Sequence, residues 1–316
     1  MRNTALLTGL IVLEIAFLGS ARAAAEAPIT ISLVARGSQQ EFWQAVMKGA
    51  QKAAKDYNVV VTFAGPETEP FVDAQVELVR AALELHPSAL GIAALDSAAL
   101  IPLLQKAKAA KIPVIGFDSG VDSSIPVTTA ATDNVAAAAL AADKMSALIG
   151  GTGKVGIITR DESSRTGHDR GDGFLGAMKK WHPRIQVIGP LFGDGDPLKS
   201  AELAKSLIQA NPDLRGIFAG DEGSAAGVVR AVQDLDRAGK LVVIGCDSGK
   251  AQIDAIRSGV MAGAVTQDPI RIGYMTVEAA VRIIKGRRVS KTIDTGFHWY
   301  DRTNIDDPAI EAILFQ

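Results

Sequence analysis

The amino-acid sequence predicts an α/β fold of two similar lobes, each built on a parallel sheet, with the chain crossing between them. Three observations point there. From Pro28 onward, short apolar runs of strand length alternate with longer amphipathic ones, as parallel α/β chains do. The stretch VIGFDSG (Val114–Gly120) returns as VIGCDSG (Val243–Gly249), six of seven residues the same. Around that repeat the halves line up further: ISLVAR (31–36) with VGIITR (155–160), and ALGIAALDS (89–97) with LRGIFAGDE (214–222), which sets Asp96 opposite Asp221.

Taken in chain order, ITISLVA (29–35), NVVVTFA (58–64), ALGIAA (89–94) and IPVIGF (112–117) are the expected strands of the first series, rich in Val and Ile. Helical stretches lie between them. In EFWQAVMKGAQKAAKDY (41–57), Phe42, Val46, Gly49 and Ala53 fall on one face while Lys48, Lys52 and Lys55 turn away. Right-handed βαβ crossovers place such helices on both faces of a parallel sheet. A second series follows: strands KVGIIT (154–159), IQVIGP (185–190), LRGIFAG (214–220) and LVVIGC (241–246), with helices near 167–181, 198–210, 223–238 and 249–258. VTQDP (265–269) breaks the pattern, and Pro269 suits the first turn of a long helix, Ile270 to Lys285. TIDTGFHWY (292–300) reads as a strand pair. Crossings are expected at Thr128–Thr132, around Gln267 and after Gly296, giving one lobe from 28–131 with 268–296 and another from 132–267 with 297–316.

The first residues speak about compartment. Arg2, then the apolar run Ala5 to Leu18, then Ala21-Arg22-Ala23 match a secretory signal over residues 1–23, cleaved after Ala23, with Glu14 as its one departure. The run is too short to cross roughly 30 Å of hydrocarbon, and no cysteine follows it to carry a lipid. The expected location is therefore the periplasm. A formal net charge of −2 gives no basic footprint for nucleic acid. GGTGK (150–154) precedes its strand and has Val155 where a phosphate loop needs Ser or Thr. No G-x-S-x-G is present, and His86, His168, His182 and His298 lack zinc spacing, so neither a metal nor a cofactor is expected.

Ligands of open α/β sheets bind beyond the carboxyl ends of the strands, where both D-S-G copies fall. Asp118 and Asp247 would then face one another across a cleft, each accepting hydroxyl donors, with the following glycine permitting the turn. The competing reading makes each aspartate the cap of its next helix. Gln40-x-Phe42-Trp43, PVIGFD, ATDNV (131–135), RGDGF (170–174), FAGDE, VIGCD and AVTQ, in that order and spacing, resemble the ribose-binding-protein family. These are periplasmic sugar-binding components of ABC transporters with a type I periplasmic-binding-protein fold, two Rossmann-like lobes joined by three hinge crossings.

That resemblance implies a sugar held by Gln40, Phe42, Trp43, Asp118, Arg170, Asp221, Asp247 and Gln267, with Ser119 at a ligand position where ribose binders have arginine. Asp221 replaces an asparagine and adds negative charge, Ala93 replaces another, and Gly195 falls near an aromatic position, so a pocket larger than ribose needs is expected. The implied ligand is a hexose, a polyol or a sugar derivative, including one with a cationic nitrogen. The implied partners are a membrane permease with its ATPase, a chemoreceptor being left open, and the protein is expected to be a monomer. Ala at Arg170 is expected to cost affinity without unfolding. Two other classes stay in view: an exported hydrolase using Asp118 and Asp247 as acid and base, and a sensory receptor of the same fold. Arg36 and Arg160 end corresponding strands and either line the cleft or pair with carboxylates.

Overall fold

The computed structural model describes residues 28–67, 71–161 and 164–315. The expected signal segment, residues 1–23, lies outside the described residues. The first half runs β1 (Thr30–Val34), α1 (Glu41–Tyr57), β2 (Val60–Ala64), α2 (Val72–Glu84), β3 (Ala89–Ile92), α3 (Ser97–Ala109), β4 (Val114–Phe117) and β5 (Thr128–Ala131). The second runs α4 (Asn134–Ile149), β6 (Gly153–Thr159), α5 (Arg165–Trp181), β7 (Ile185–Phe192), α6 (Pro197–Ala210), β8 (Leu214–Ala219), α7 (Glu222–Asp234), β9 (Val242–Cys246), α8 (Lys250–Ser258) and β10 (Gly263–Gln267). Then come α9 (Pro269–Ile284), β11 (Thr292–Asp294), β12 (Phe297–Tyr300) and α10 (Pro308–Glu311).

These strands form two six-stranded sheets, ordered β11-β5-β4-β3-β1-β2 and β12-β10-β9-β8-β6-β7. The order is the same in both, strand for strand, so the repeat in the sequence is a repeat of topology. Every pair is parallel except β12 against β10. TIDTGFHWY is thus two strands that do not pair with each other. β11 joins β5 in the first sheet and β12 joins β10 in the second, with Gly296 turning between them at φ +80°. Thr128–Ala131, expected as a crossing, is the strand β5, and the chain leaves the first sheet after it.

The inner strands are mostly buried because helices cover both faces, β3, β4 and β10 over their whole length. Four clusters result. In the first lobe, Ile31, Leu33 and Ile115 pack under α1 and α9, while Val34, Leu90, Ile92, Leu100 and Leu104 fill the opposite face. The second lobe repeats this with Ile158, Ile217, Val228 and Val243 on one side and Val155, Phe174, Phe218 and Ile244 on the other. Each such aliphatic side chain contributes about 1.5–3 kcal/mol by leaving water. The α1 face expected from spacing is the buried one, and Gly49 belongs to it for a steric reason. A Cβ at Gly49 would lie 1.9 Å from the Ile270 carbonyl oxygen, and one at Gly273 would lie 2.0 Å from that of Val46. Paired glycines thus let α9, which returns from the second lobe, lie directly against α1.

Candidate functional site

The carboxyl ends of β1, β4, β6, β8 and β9 converge on one narrow pocket between the lobes, with a cavity of only ≈ 20 Å³ as the lobes stand. Arg36, Gln40, Phe42, Trp43 and Asp118 line it from the first lobe, and Arg160, Thr166, Arg170, Glu222, Asp247 and Gln267 from the second. Of the residues expected from sequence, the structure brings together Gln40, Phe42, Trp43, Asp118, Arg170, Asp247 and Gln267. Ser119 and Asp221 are not among the lining residues.

Both repeat aspartates end their strands in the left-handed region, Asp118 at φ 52° and Asp247 at φ 74°. In the first copy the turn uses both the acid and the expected glycine, Gly120 at φ 60°; in the second it lies at the acid itself. The second glycine, Gly249, has an ordinary φ of −61°. Neighbouring strands fix both backbones: Asp118 N–H donates to the Ala130 carbonyl (3.0 Å) and Asp247 N–H to that of Val265 (2.9 Å). Neither aspartate caps the helix after it. No helix directly follows Asp118, and α8, which begins at Lys250, has Gly249 as its N-cap and no side-chain cap.

Asp247 is the hub of the second lobe. Its carboxylate accepts from Gln267 Nε2 (2.6 Å), Arg170 Nη1 (3.2 Å) and the Glu222 backbone N–H (3.1 Å), while Tyr300 donates its hydroxyl to the Asp247 carbonyl (2.8 Å). Arg170 is 3% exposed and also donates to Asn134 Oδ1 (2.8 Å) and the Gly220 carbonyl (2.7 Å). Burial works against its charge, but Asp247 with Cys246, Asp118 and Asp221 outweighs burial and raises its pKa. Its fork is thus already committed to the protein. This argues against the expectation that Ala at Arg170 would spare stability, because the buried Asp247 carboxylate would keep only Gln267 and one backbone N–H. Burial pushes the Asp118 carboxyl up to about 6, against the pull of Arg36 and Arg170.

Phe42 and Trp43 serve both the core and the pocket. Their rings meet edge to face at 4.9 Å, and Trp43 continues onto Phe117 at 6.3 Å. Ser119 is buried with its hydroxyl on the Ala94 carbonyl (3.1 Å), which turns it away from the pocket. Asp221 is 1% exposed and caps α7, accepting from Ser224 N–H (3.0 Å) and the Ser224 hydroxyl, with Arg160 Nη2 at 3.6 Å. Its charge therefore serves the helix terminus. Asp96, its counterpart in the repeat, caps α3 in the same way through Ala99 N–H (2.9 Å). The room expected at Gly195 is taken by Arg160, since a Cβ there would lie 2.5 Å from Arg160 Nη1.

Two lining groups, Glu222 and Thr166, were not singled out from sequence, and Arg36 and Arg160, left open there, both line the pocket and both pair with carboxylates. Glu222 Oε2, Thr166 Oγ1 and Gln267 Oε1 are buried with no hydrogen-bond partner. Such atoms cost about 1–3 kcal/mol each unless a ligand satisfies them. Burial, reinforced by Asp247 and Glu41, pushes the Glu222 carboxyl up to about 8. Arg36, ending β1, reaches across the cleft to Asp161 (3.2 Å), and Glu41 at the start of α1 accepts from the Lys250 N–H of α8 (2.7 Å). Phe315 also spans the lobes, packing on Phe42 at 5.6 Å while its N–H donates to Ser248 Oγ (3.3 Å). The contacts are those of two lobes drawn together. Among the described residues no group of three His, Cys, Asp or Glu could hold a metal ion.

Comparison with known proteins places this architecture. Residues 31–288 match the model of the periplasmic binding protein domain. The ribose import binding protein of Salmonella typhimurium is 30% identical over 285 residues, covering 88% of this chain and 93% of that one. A solute-binding protein of an ABC transporter from Agrobacterium vitis, solved with bound D-fucose, superposes with a TM-score of 0.86 at 30% identity, covering 90% of this chain and all of that one. A carbohydrate transporter solute-binding protein from Agrobacterium radiobacter, in complex with D-arabinose, gives a TM-score of 0.85 at 31% identity over 92% of this chain and 100% of that one. This chain belongs to the periplasmic binding protein family, a family of binding proteins rather than of enzymes.

Proposed function

We propose that this protein is the periplasmic solute-binding component of an ABC importer and captures a sugar or sugar-like ligand, a hexose, polyol or sugar derivative, between its lobes. The observation that carries the reading is the pocket itself. Carboxylates and guanidinium groups from both lobes meet beside the Trp43 ring, as recognition of a polyhydroxylated ring requires: hydroxyl partners around its edge and an apolar surface for its C–H face. Relatives named for ribose and solved structures holding D-fucose or D-arabinose support the class.

One of the two acids an exported hydrolase would need is poorly placed to act as one. Asp247 is held by Arg170, Gln267 and a backbone N–H, which stabilise it as a fixed acceptor and leave no freedom to shuttle a proton. Bound sugar is therefore recovered unchanged, and the closed form is what a membrane permease with its ATPase receives. The signal-like residues 1–23 direct the chain to the periplasm, where it acts as a monomer.

Thermal-shift measurement on protein stripped by unfolding and refolding, against pentoses, hexoses, polyols and amino sugars, tests the reading. A ligand at about 100 times its Kd stabilises the fold by about 2.7 kcal/mol, so one class of sugar raises Tm clearly. Silence across the panel, in protein shown to be folded, would sink it.

A further inference from the structure

The charges around the pocket do not balance. Three guanidinium groups, Arg36, Arg160 and Arg170, stand among five carboxyls, Asp118, Asp161, Asp221, Glu222 and Asp247. Arg36 is taken by Asp161, Arg160 by Asp221 and Arg170 by Asp247. Asp118 still lies in the combined field of Arg36 and Arg170. Glu222 is left with Asp247, Glu41 and Asp221 as negative neighbours, against Arg160 alone.

The position of Glu222 is fixed rather than incidental. It is the first residue of α7, directly after the capping Asp221, and its backbone N–H is tied to Asp247. Its Oε1 lies against Gly249, where a Cβ would come within 2.7 Å, so the chain leaves room for this carboxyl and no more. Its Oε2 is buried without a hydrogen-bond partner. With Gln40 it also borders a larger outer hollow beside Glu41, Lys250 and Asp254, so it stands at the mouth of the pocket. The other unsatisfied atoms of the pocket, Gln267 Oε1 and Thr166 Oγ1, include a second acceptor with no donor of its own.

A surplus carboxyl and idle acceptors call for a ligand rich in donors and carrying positive charge. A neutral hydroxyl can hydrogen-bond this carboxyl but gives it no reason to ionise; an ammonium supplies three donors, needs no acceptor and pairs with the carboxylate formed as the proton leaves. We propose that Glu222 selects the ligand, and that the ligand is a sugar or polyol bearing a protonated amine set against this carboxylate. The proposal rests on the sugar-binding reading above. It moves the negative charge that matters from Asp221, which caps a helix, to the residue after it. The raised pKa of Glu222 agrees: an empty pocket holds the proton that an ammonium would displace.

Calorimetric titration of stripped protein at about pH 6.5, where amines are charged, tests this with matched pairs: glucosamine, galactosamine and mannosamine against their parent hexoses, and N-methylglucamine against sorbitol. Each is run in two buffers of different ionisation enthalpy to count protons. One amine should bind at least tenfold more tightly than its neutral parent and release close to one proton. In Glu222→Gln, shown to be folded by its circular dichroism and unfolding transition, the amine preference and the proton release should both vanish. Neutral parents binding equally well, with the ratio unmoved in Glu222→Gln, would overturn the assignment and leave the sugar reading intact. Absence of binding by every member of every pair would overturn the amine assignment, and the sugar reading with it only if the wider thermal-shift panel is silent as well.

Discussion

Arg170 carries more of the second lobe than a ligand contact needs to. Its three hydrogen-bonded partners, Asn134, the Gly220 carbonyl and Asp247, come from three different segments, and it is buried among them. Removing one member of a buried charge pair typically costs about 3–5 kcal/mol because the other is left uncompensated. Arg170→Ala should therefore lower stability by about that amount in denaturant unfolding as well as weakening binding; a variant as stable as the wild type would show that Asp247 does not depend on it. At this scale the repeat made Asp118 and Asp247 legible, because an acid after a V-I-G-x run can only sit at a strand's carboxyl end. The neighbouring acids were not. In Gly220-Asp221-Glu222 nothing in composition says which carboxyl faces the cleft. The geometry of the N-cap decides: Asp221, extended at φ −160° and ψ 169°, turns its side chain back onto Ser224. The signal was present as Asp followed three residues later by Ser, a capping spacing. Ser119 misled because its position in a matched motif says nothing about where its hydroxyl bonds.

Among the elements, α8 has an unusual beginning. Its own Gly249 supplies no side-chain cap, and the Lys250 N–H is met by Glu41, from the first turn of α1 in the other lobe. A carboxylate at a helix N-terminus contributes about 0.3–1 kcal/mol at a solvated site. Here that energy exists only while the lobes are together. Glu41→Ala should therefore speed ligand dissociation by about two- to fivefold in stopped-flow fluorescence, with little change in unfolding of the empty protein. An unchanged dissociation rate would mean that the contact plays no part in holding the lobes. The first four strands of each series were legible in order and nearly in extent, since Val- and Ile-rich runs leave few alternatives, but β5 and β10, at the points expected as crossings, were not. The last strands were not, because β11 and β12 are short and adjacent in sequence. Which sheet each joins depends on the hinge at Gly296, not on periodicity.

For the molecule as a whole, the cleft acids set a pH dependence. Asp118 is raised from 3.8 to about 6 and Glu222 from 4.5 to about 8, in both cases chiefly by burial. The folded protein therefore binds more protons than the unfolded chain between those values, so their stabilising contribution is complete below about pH 4 and is lost as pH rises through 6 and then 8. Tm of the empty protein should fall as pH climbs from about 5 to about 8, and Glu222→Gln should flatten the upper part of that fall. A Tm that rises over this range would place the dominant titrating groups elsewhere. The same residues explain how the two lobes act as one device: each brings charge that its own sheet does not fully satisfy, and closure with a ligand between them completes the set.

The most direct test of capture between the lobes is titration of the best-responding sugar into wild-type protein and Asp118→Asn, a substitution that keeps shape and removes charge. Asp118 lies at a strand end of the first lobe and acts on the Arg170–Asp247 pair through its charge, and Asn keeps its shape, so the variant should fold normally. Losing a charge-assisted hydrogen bond to the ligand costs about 1.5–3 kcal/mol, and the expected result is one site per chain with Kd weakened at least tenfold. An unchanged Kd in folded Asp118→Asn would mean that the sugar does not sit between these lobes, and would contradict the account at its centre.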